Sequence, residues 1–224
     1  MTIPAIVAGH TTKQDASATT SRTITVPTNS DGDEIHLFIV TSSTSANVAS
    51  SGFTTLPNYG PATLSGGEVW ILKKTTASES GSYTITSAST IVSAIAVAIT
   101  PYGGIHAVGT NATGTSGTAT APAVTTVLAN TLRISVIATD DNPGIITVAT
   151  LSGHTLLDTV TGLLKPTVSV QWKDLTGTGS DASQTAALSG SETWTGITFA
   201  IYDLAEVATT KAGVYVDILD AQVD

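Results

Sequence analysis

Two acidic stretches are the first residues whose types and spacing could do chemistry. Asp31-Gly-Asp-Glu34 sets three carboxylates in one short turn, and Asp140-Asp-Asn142 gathers hard oxygen donors in another. A loop that wraps such donors around a cation holds Ca²⁺, which makes Asp31, Asp33, Asp140 and Asp141 the candidate ligands. Neither stretch has EF-hand spacing, and Asp and Asn also favour turns because their side chains cap local backbone. Solvated turns are therefore the expectation, and no metal or other cofactor is assigned.

The histidines, His10, His36, His106 and His154, lie far apart and lack the short spacing of helical zinc sites. They read as isolated surface residues, His36 on the polar face of a strand and His154 in a turn. Nucleophilic hydrolysis would need a serine on a sharp Gly-x-Ser-x-Gly elbow, and the sequence has none. Serine is so abundant that any Ser/His/Asp trio would be arbitrary. The 17 acids supply many carboxylate pairs for glycoside hydrolysis, and nothing selects one of them. The expectation is a protein without catalytic residues. Trp70, Trp172 and Trp194 suit core packing better than a sugar platform, because Trp70 and Trp172 fall on the apolar phase of strands. Tyr59 and Tyr102, beside Pro and Gly in loops, are the better candidates for exposed contact with a carbohydrate.

The elements that would carry these residues are strands. In Asp33-Glu-Ile-His-Leu-Phe-Ile-Val-Thr41, Ile35, Leu37 and Ile39 fall on one face at a strand's period of two, with His36, Phe38 and Val40 on the other. Asn130-Thr-Leu-Arg-Ile-Ser-Val-Ile-Ala138 repeats the pattern through Leu132, Ile134 and Val136. Further matches follow in the same order. Thr118-Ala-Thr-Ala-Pro122 answers Thr23-Ile-Thr-Val-Pro27, and Ser152-Gly-His-Thr155 answers Ser51-Gly-Phe-Thr54. Residues 168–173 answer 68–73, residues 184–189 answer 82–87, and 196–202 answer 94–100, with Ile197, Phe199 and Ile201 in place of Ile95, Val97 and Ile99. An internal duplication is the economical reading.

About five strands per half, with no helical period, predict an all-β fold, an antiparallel β-sandwich of jelly-roll kind. One shared sandwich is favoured over two small ones. The predicted organisation is an N-terminal arm over 1–20 and a sandwich over 21–206, with pseudo-repeat halves 21–105 and 115–206. An extra C-terminal strand over 207–224 completes it. The arm's Ile3, Ile6 and Val7 and the tail's Val214, Tyr215, Val216 and Ile218 are the predicted partner-binding residues, because an unpaired strand must pair with its own sheet edge or another subunit.

Composition narrows the partners. A net charge of −9, with 8 scattered basic residues, argues against nucleic acid, which needs clustered Lys and Arg. The apolar run 91–99 is broken by Ser93 and falls far short of the roughly 20 residues of a membrane helix. The N-terminus has no basic leader followed by a long apolar core, so synthesis in the cytoplasm is expected. With no cysteine, neither disulfides nor thiolate metal sites can contribute.

Together with the Thr-x-Thr-x-Pro strand at 23–27, the Gly-Asp at 32–33 and the Ser-Gly-Phe-Thr at 51–54, three longer stretches carry a family resemblance. These are Val-Trp-Ile-Leu-Lys-Lys-Thr-Thr-Ala-Ser-Glu at 69–79, Tyr-Thr-Ile-Thr-Ser-Ala-Ser at 83–89 and Ala-Gly-Val-Tyr-Val-Asp-Ile-Leu at 212–219. The chain resembles the Thr/Ser/Ala-rich β-sandwich modules of tailed-phage virions, found in capsid decoration (cement) proteins and in tail or fibre proteins. The resemblance implies a virion structural protein on the outside of the head, bound to the major capsid protein as a homotrimer at local threefold axes. The alternative it implies is a tail-fibre or baseplate module binding host-surface carbohydrate. The motifs bring no catalytic positions with them.

Overall fold

Strands buried on both faces organise the chain. A computed structural model describes residues 2–56, 61–140 and 145–203. The described residues form eighteen strands: β1 (Ala5–Ile6), β2 (Thr11–Gln14), β3 (Thr19–Thr25), β4 (Asp31–Thr41), β5 (Ala49–Ser50), β6 (Thr54–Thr55), β7 (Ala62–Thr63), β8 (Glu68–Ala77), β9 (Ser82–Thr90), β10 (Val92–Thr100), β11 (Gly104–Val108), β12 (Ala112–Ala121), β13 (Val124–Thr126), β14 (Thr131–Thr139), β15 (Thr155–Gly162), β16 (Lys165–Leu175), β17 (Gly179–Asp181) and β18 (Gln184–Tyr202). The all-β, antiparallel class expected from the alternation is what the chain adopts. No helix of the described residues is long and apolar enough to cross a membrane.

A seven-stranded sheet has the order β1-β10-β4-β8-β6, with β2 also on β10 and β7 also on β8. A six-stranded sheet has the order β11-β18-β14-β16-β15, with β12 also on β18. The two sheets share a central core in which Phe38, Val40, Val69, Ile71, Ile95 and Val97 of the first meet Leu132, Ile134, Val136, Val170, Ile197 and Phe199 of the second. Each sheet then carries an outer layer. The three-stranded sheet β3-β9-β5 covers the first over Ile24, Ile35, Leu37, Ile39 and Ile85. On the second, Ala119, Ala186, Leu188 and Trp194 close over Ile137 together with Ile146, Val148 and Leu151. The arrangement is neither one two-sheet sandwich nor two separate ones. Two sandwiches stand back to back, so β4, β10 and β14 lie inside and are buried in both phases.

This layering corrects the residue-level matching of the two halves. Ile35, Leu37 and Ile39 lie under the outer sheet, whereas Leu132, Ile134 and Val136 lie in the central core. The partners of that core in β4 are Phe38 and Val40, so the match drawn from alternation is displaced by one residue. A slip of one residue exchanges the faces of a strand. The same slip affects β8 and β16. Val69 and Ile71 correspond to Val168 and Val170, which leaves Trp70 on the outer cluster and Trp172 against the central core. In β10 and β18 the matched residues Ile95, Val97, Ile99 and Ile197, Phe199, Ile201 do share the central core.

Residues 5–14 do not project as an arm. β1 and β2 pair with β10, Ala5 opposite Thr100 and Thr11 opposite Ala96, and Val7 N–H donates to the Ala98 carbonyl at 2.9 Å. Their polar Thr-Thr-Lys-Gln sequence conceals this, because an edge strand is held by backbone hydrogen bonds and needs little apolar pattern.

Candidate functional site

The central-core phase of β4 begins with two residues that do not belong in an apolar core, Glu34 and His36. His36, expected at the surface, is fully buried. Phe199 stacks on its ring at 6.0 Å and 13° and Phe38 at 6.1 Å and 28°, with 6.4 Å between those two phenyl rings. Tyr102 meets the ring edge-on at 5.7 Å. The Glu34 carboxylate lies 3.4 Å from His36 Nε2 and 3.1 Å from Lys73 Nζ on the neighbouring β8. Neither ring nitrogen of His36 reaches hydrogen-bond geometry, so the 3.4 Å approach to Glu34 is a close contact rather than a formed hydrogen bond. Lys73 Nζ also donates to Tyr102 Oη at 3.4 Å and lies 5.2 Å from the ring centroid.

Burial sets the protonation states of this group. It holds His36 below its ordinary value, because a cation in the core would lose its hydration, and the pull of Glu34 only partly offsets this. Burial alone would raise Glu34, yet attraction to His36, Lys73 and Tyr102 outweighs it and keeps the carboxylate low. Tyr102 is pushed up by burial and then by Glu34. At neutral pH Glu34 is therefore a carboxylate, His36 a neutral imidazole and Tyr102 a neutral phenol.

A pH dependence follows from His36. Its folded pKa lies below the ordinary 6.5, so the unfolded chain binds the proton first as pH falls. The stabilisation is fully present above about 6.5 and is lost progressively below it. His106 and His154, less buried and lowered by desolvation, act in the same direction, and the lowered carboxyls of Glu34 and Asp181 add a further loss below 4.5 and 3.8. Urea unfolding between about pH 7 and 5 should lose most of its slope in His36→Phe, which keeps the ring stack and removes the titration. An unchanged slope would show that the buried imidazole does not control it.

Beside this group a half-open cavity of about 410 Å³ lies between β8 and β11. Lys73, Tyr102, Gly104, Ile105, His106 and Val108 line it, with Ala107. A Cβ on Gly104 would sit 3.1 Å from the Tyr202 ring, and its φ is +142°, so glycine lets β11 pass close to that ring. His106 is the extra residue where the β11–β18 register shifts between Ile105 and Ala107. Its Nε2 accepts Val127 N–H at 2.8 Å and Leu128 N–H at 3.2 Å, which fixes the proton on Nδ1. Composition along β11 gave no sign of this cavity, because its walls come from Lys73 and from a segment with almost no charge.

The other sequence-predicted residues have structural partners. Ile3 and Ile6 pack partly buried on the central core, and Val7 packs on the cluster under β3-β9-β5. Val214, Tyr215, Val216 and Ile218, with Tyr59 and Asp141, lie outside the described residues. Asp33 is buried and accepts Ser30 N–H at 2.7 Å, while Asp140 accepts Gly66 N–H at 2.6 Å. Among the described residues no three His, Cys, Asp or Glu side chains gather as metal ligands. Trp194 Nε1 donates to Ser116 Oγ and Trp70 Nε1 to Glu68 Oε2, both at 3.1 Å. His10 pairs with Asp158 at 2.9 Å, tying the β2 edge to β15.

Two buried cations escaped the sequence reading. Arg22 pairs with Asp15, and Arg133, fully buried in β14, pairs with Asp181 and donates to the Pro122 carbonyl at 2.9 Å and the Ala182 carbonyl at 3.0 Å. Arg133 Nε also reaches Ser135 Oγ at 3.2 Å, and that hydroxyl lies 3.3 Å from His154 Nε2. A serine beside an imidazole whose Nδ1 faces the Ser152 carbonyl at 3.0 Å has the tautomer of a nucleophile and its base. Ser135 is nevertheless fully buried, and its oxygen is held by a guanidinium, so the pair ties β14 to the His154 turn. Compared with family models, curated proteins and solved structures, the chain finds no match.

Proposed function

We propose that the chain is a non-enzymatic structural protein of a tailed-phage virion, a decoration subunit that binds the major capsid protein and copies of itself, as a trimer, on the outside of the head. The observation that carries this reading is where the ionisable side chains go. Asp15 with Arg22, Asp181 with Arg133 and Lys173, and Glu34 with Lys73 each join one strand layer to another or one strand to its neighbour. A subunit that holds a shell against internal pressure needs such locks and extensive contact surface. Val127, Ile145, Leu163 and Leu164, all more than half exposed, offer apolar contact points in the connections between strands. The resemblance of the Thr/Ser-rich strands to virion modules supports the same placement.

The test is co-sedimentation of the purified chain with separated heads and tails stripped of it. Saturable binding to heads is expected, near one trimer per local threefold site. Binding to tails alone would favour the tail-fibre or baseplate placement, and binding to neither would overturn a virion role.

A further inference from the structure

We propose that the cavity between β8 and β11 is a saccharide-binding site, a role that goes beyond placement in a virion. The two edges of the central core differ in one respect. On the edge that β1 and β2 share with β15, Trp172, Leu157, Ile3 and Ile6 pack against the core. On the opposite edge the β8 residue that corresponds to Trp172, two positions beyond Ile71 as Trp172 is two beyond Val170, is Lys73. A lysine there fills less of the gap than an indole, and the cavity of about 410 Å³ opens beside it. Its size falls within the roughly 300–1,000 Å³ of small-molecule sites.

The lining selects the ligand. Lys73, Tyr102 and His106 are the polar residues of the lining: Tyr102 Oη accepts from Lys73 Nζ at 3.4 Å and is bonded to Glu34, and His106 keeps its proton on Nδ1 because two backbone N–H groups donate to Nε2. β11 is the terminal strand of its sheet, so one of its edges offers backbone N–H and C=O groups not used in pairing with β18. Tyr102 and Ile105 supply apolar surface beside them. An anion is disfavoured, because Lys73 is already neutralised by Glu34 at 3.1 Å and the chain carries −9 overall. A purely apolar ligand would strip water from Lys73 and His106 without replacing it. A sugar ring presents hydroxyls that both donate and accept on its rim and C–H groups on its faces, which suits this mixed lining.

The experiment is saturation-transfer NMR on the full chain with free glucose, galactose, mannose, rhamnose and N-acetylglucosamine as probes. At least one is expected to receive saturation, competitively with its methyl glycoside. Lys73→Trp copies the residue that occupies the other edge, and Val108→Trp fills the cavity from β11 without touching Glu34. Each should weaken binding at least about tenfold while the near-UV spectrum shows an intact fold. No saturation of any probe by the wild-type chain, or binding unaltered in folded Val108→Trp, would overturn the proposal. Attachment to heads or tails is read separately, so a negative result here leaves the virion reading standing.

Discussion

Asp15→Ala should lower the free energy of unfolding by about 3–5 kcal/mol. Arg22 Nε donates to Asp15 Oδ2 at 2.9 Å, and both side chains are almost wholly enclosed, at 1% and 4% exposure. The other two guanidinium nitrogens also donate, Nη1 to Ser87 Oγ at 2.5 Å and Nη2 to the Thr19 carbonyl at 2.5 Å and the Thr90 carbonyl at 3.0 Å. The same Asp15 oxygen accepts Val92 N–H at 3.2 Å. Removing the carboxylate leaves a buried cation facing only carbonyl and hydroxyl dipoles, and also strands the amide of Val92. The charge is what makes this expensive. Arg22→Met combined with Asp15→Val should therefore recover much of the loss, since replacing both ions of a buried pair by apolar groups is often close to neutral. For a chain of this size the single variant should melt about 6–20 °C lower. Guanidinium unfolding at constant m-value measures both variants. A single variant within 1 kcal/mol of wild type (roughly the worth of an exposed pair) would show that the pair is not buried in solution.

Phe199→Ala should cost about 3–5 kcal/mol, and it should destabilise both halves together. Phe199 belongs to β18, in the second half, yet its ring stacks on His36 at 6.0 Å and on Phe38 at 6.4 Å, both in β4 of the first. All three side chains are fully buried. Truncation opens a void between the two large sheets, and the stacked His36 cannot fill it without exposing its unsatisfied nitrogens. Trp70 lies with the outer cluster of the first half and Trp194 with that of the second, so single-tryptophan versions of the chain report each half separately. Coincident transitions, both shifted by the same amount, are expected from one shared core. If only the Trp194 transition moves, the halves fold independently.

Much of this was legible in the alternation of a few strands. Apolar residues in both phases of 35–40 and 91–99 announced strands, and the polar turns between them announced their ends. What alternation could not decide was the face, because Ile35, Leu37 and Ile39 look no more buried than Phe38 and Val40 once both phases are apolar. His36 was misread for that reason. The sequence offers it a polar face, while the second sheet covers that face with Phe199. Arg133 was hidden in the same way, since a cation alternating with Leu132 and Ile134 suggests solvent until an outer layer with Asp181 closes over it. The short edge strands β1 and β2 gave no pattern, being held through backbone. β18 was read as two strands, 184–189 and 196–202, although it runs unbroken from Gln184 to Tyr202 and serves the outer layer with its first part and the large sheet with its second. The cavity depends on Lys73 standing where the other half has Trp172, a contrast that becomes visible only after the register is corrected.

A structural role in a virion is tested most directly by cryo-electron microscopy of the particle that carries this chain. Density for the back-to-back sandwiches on the outer face of the head, grouped in threes at local threefold axes, is the predicted result. Particles of full infectivity whose heads and tails both lack that density would contradict it.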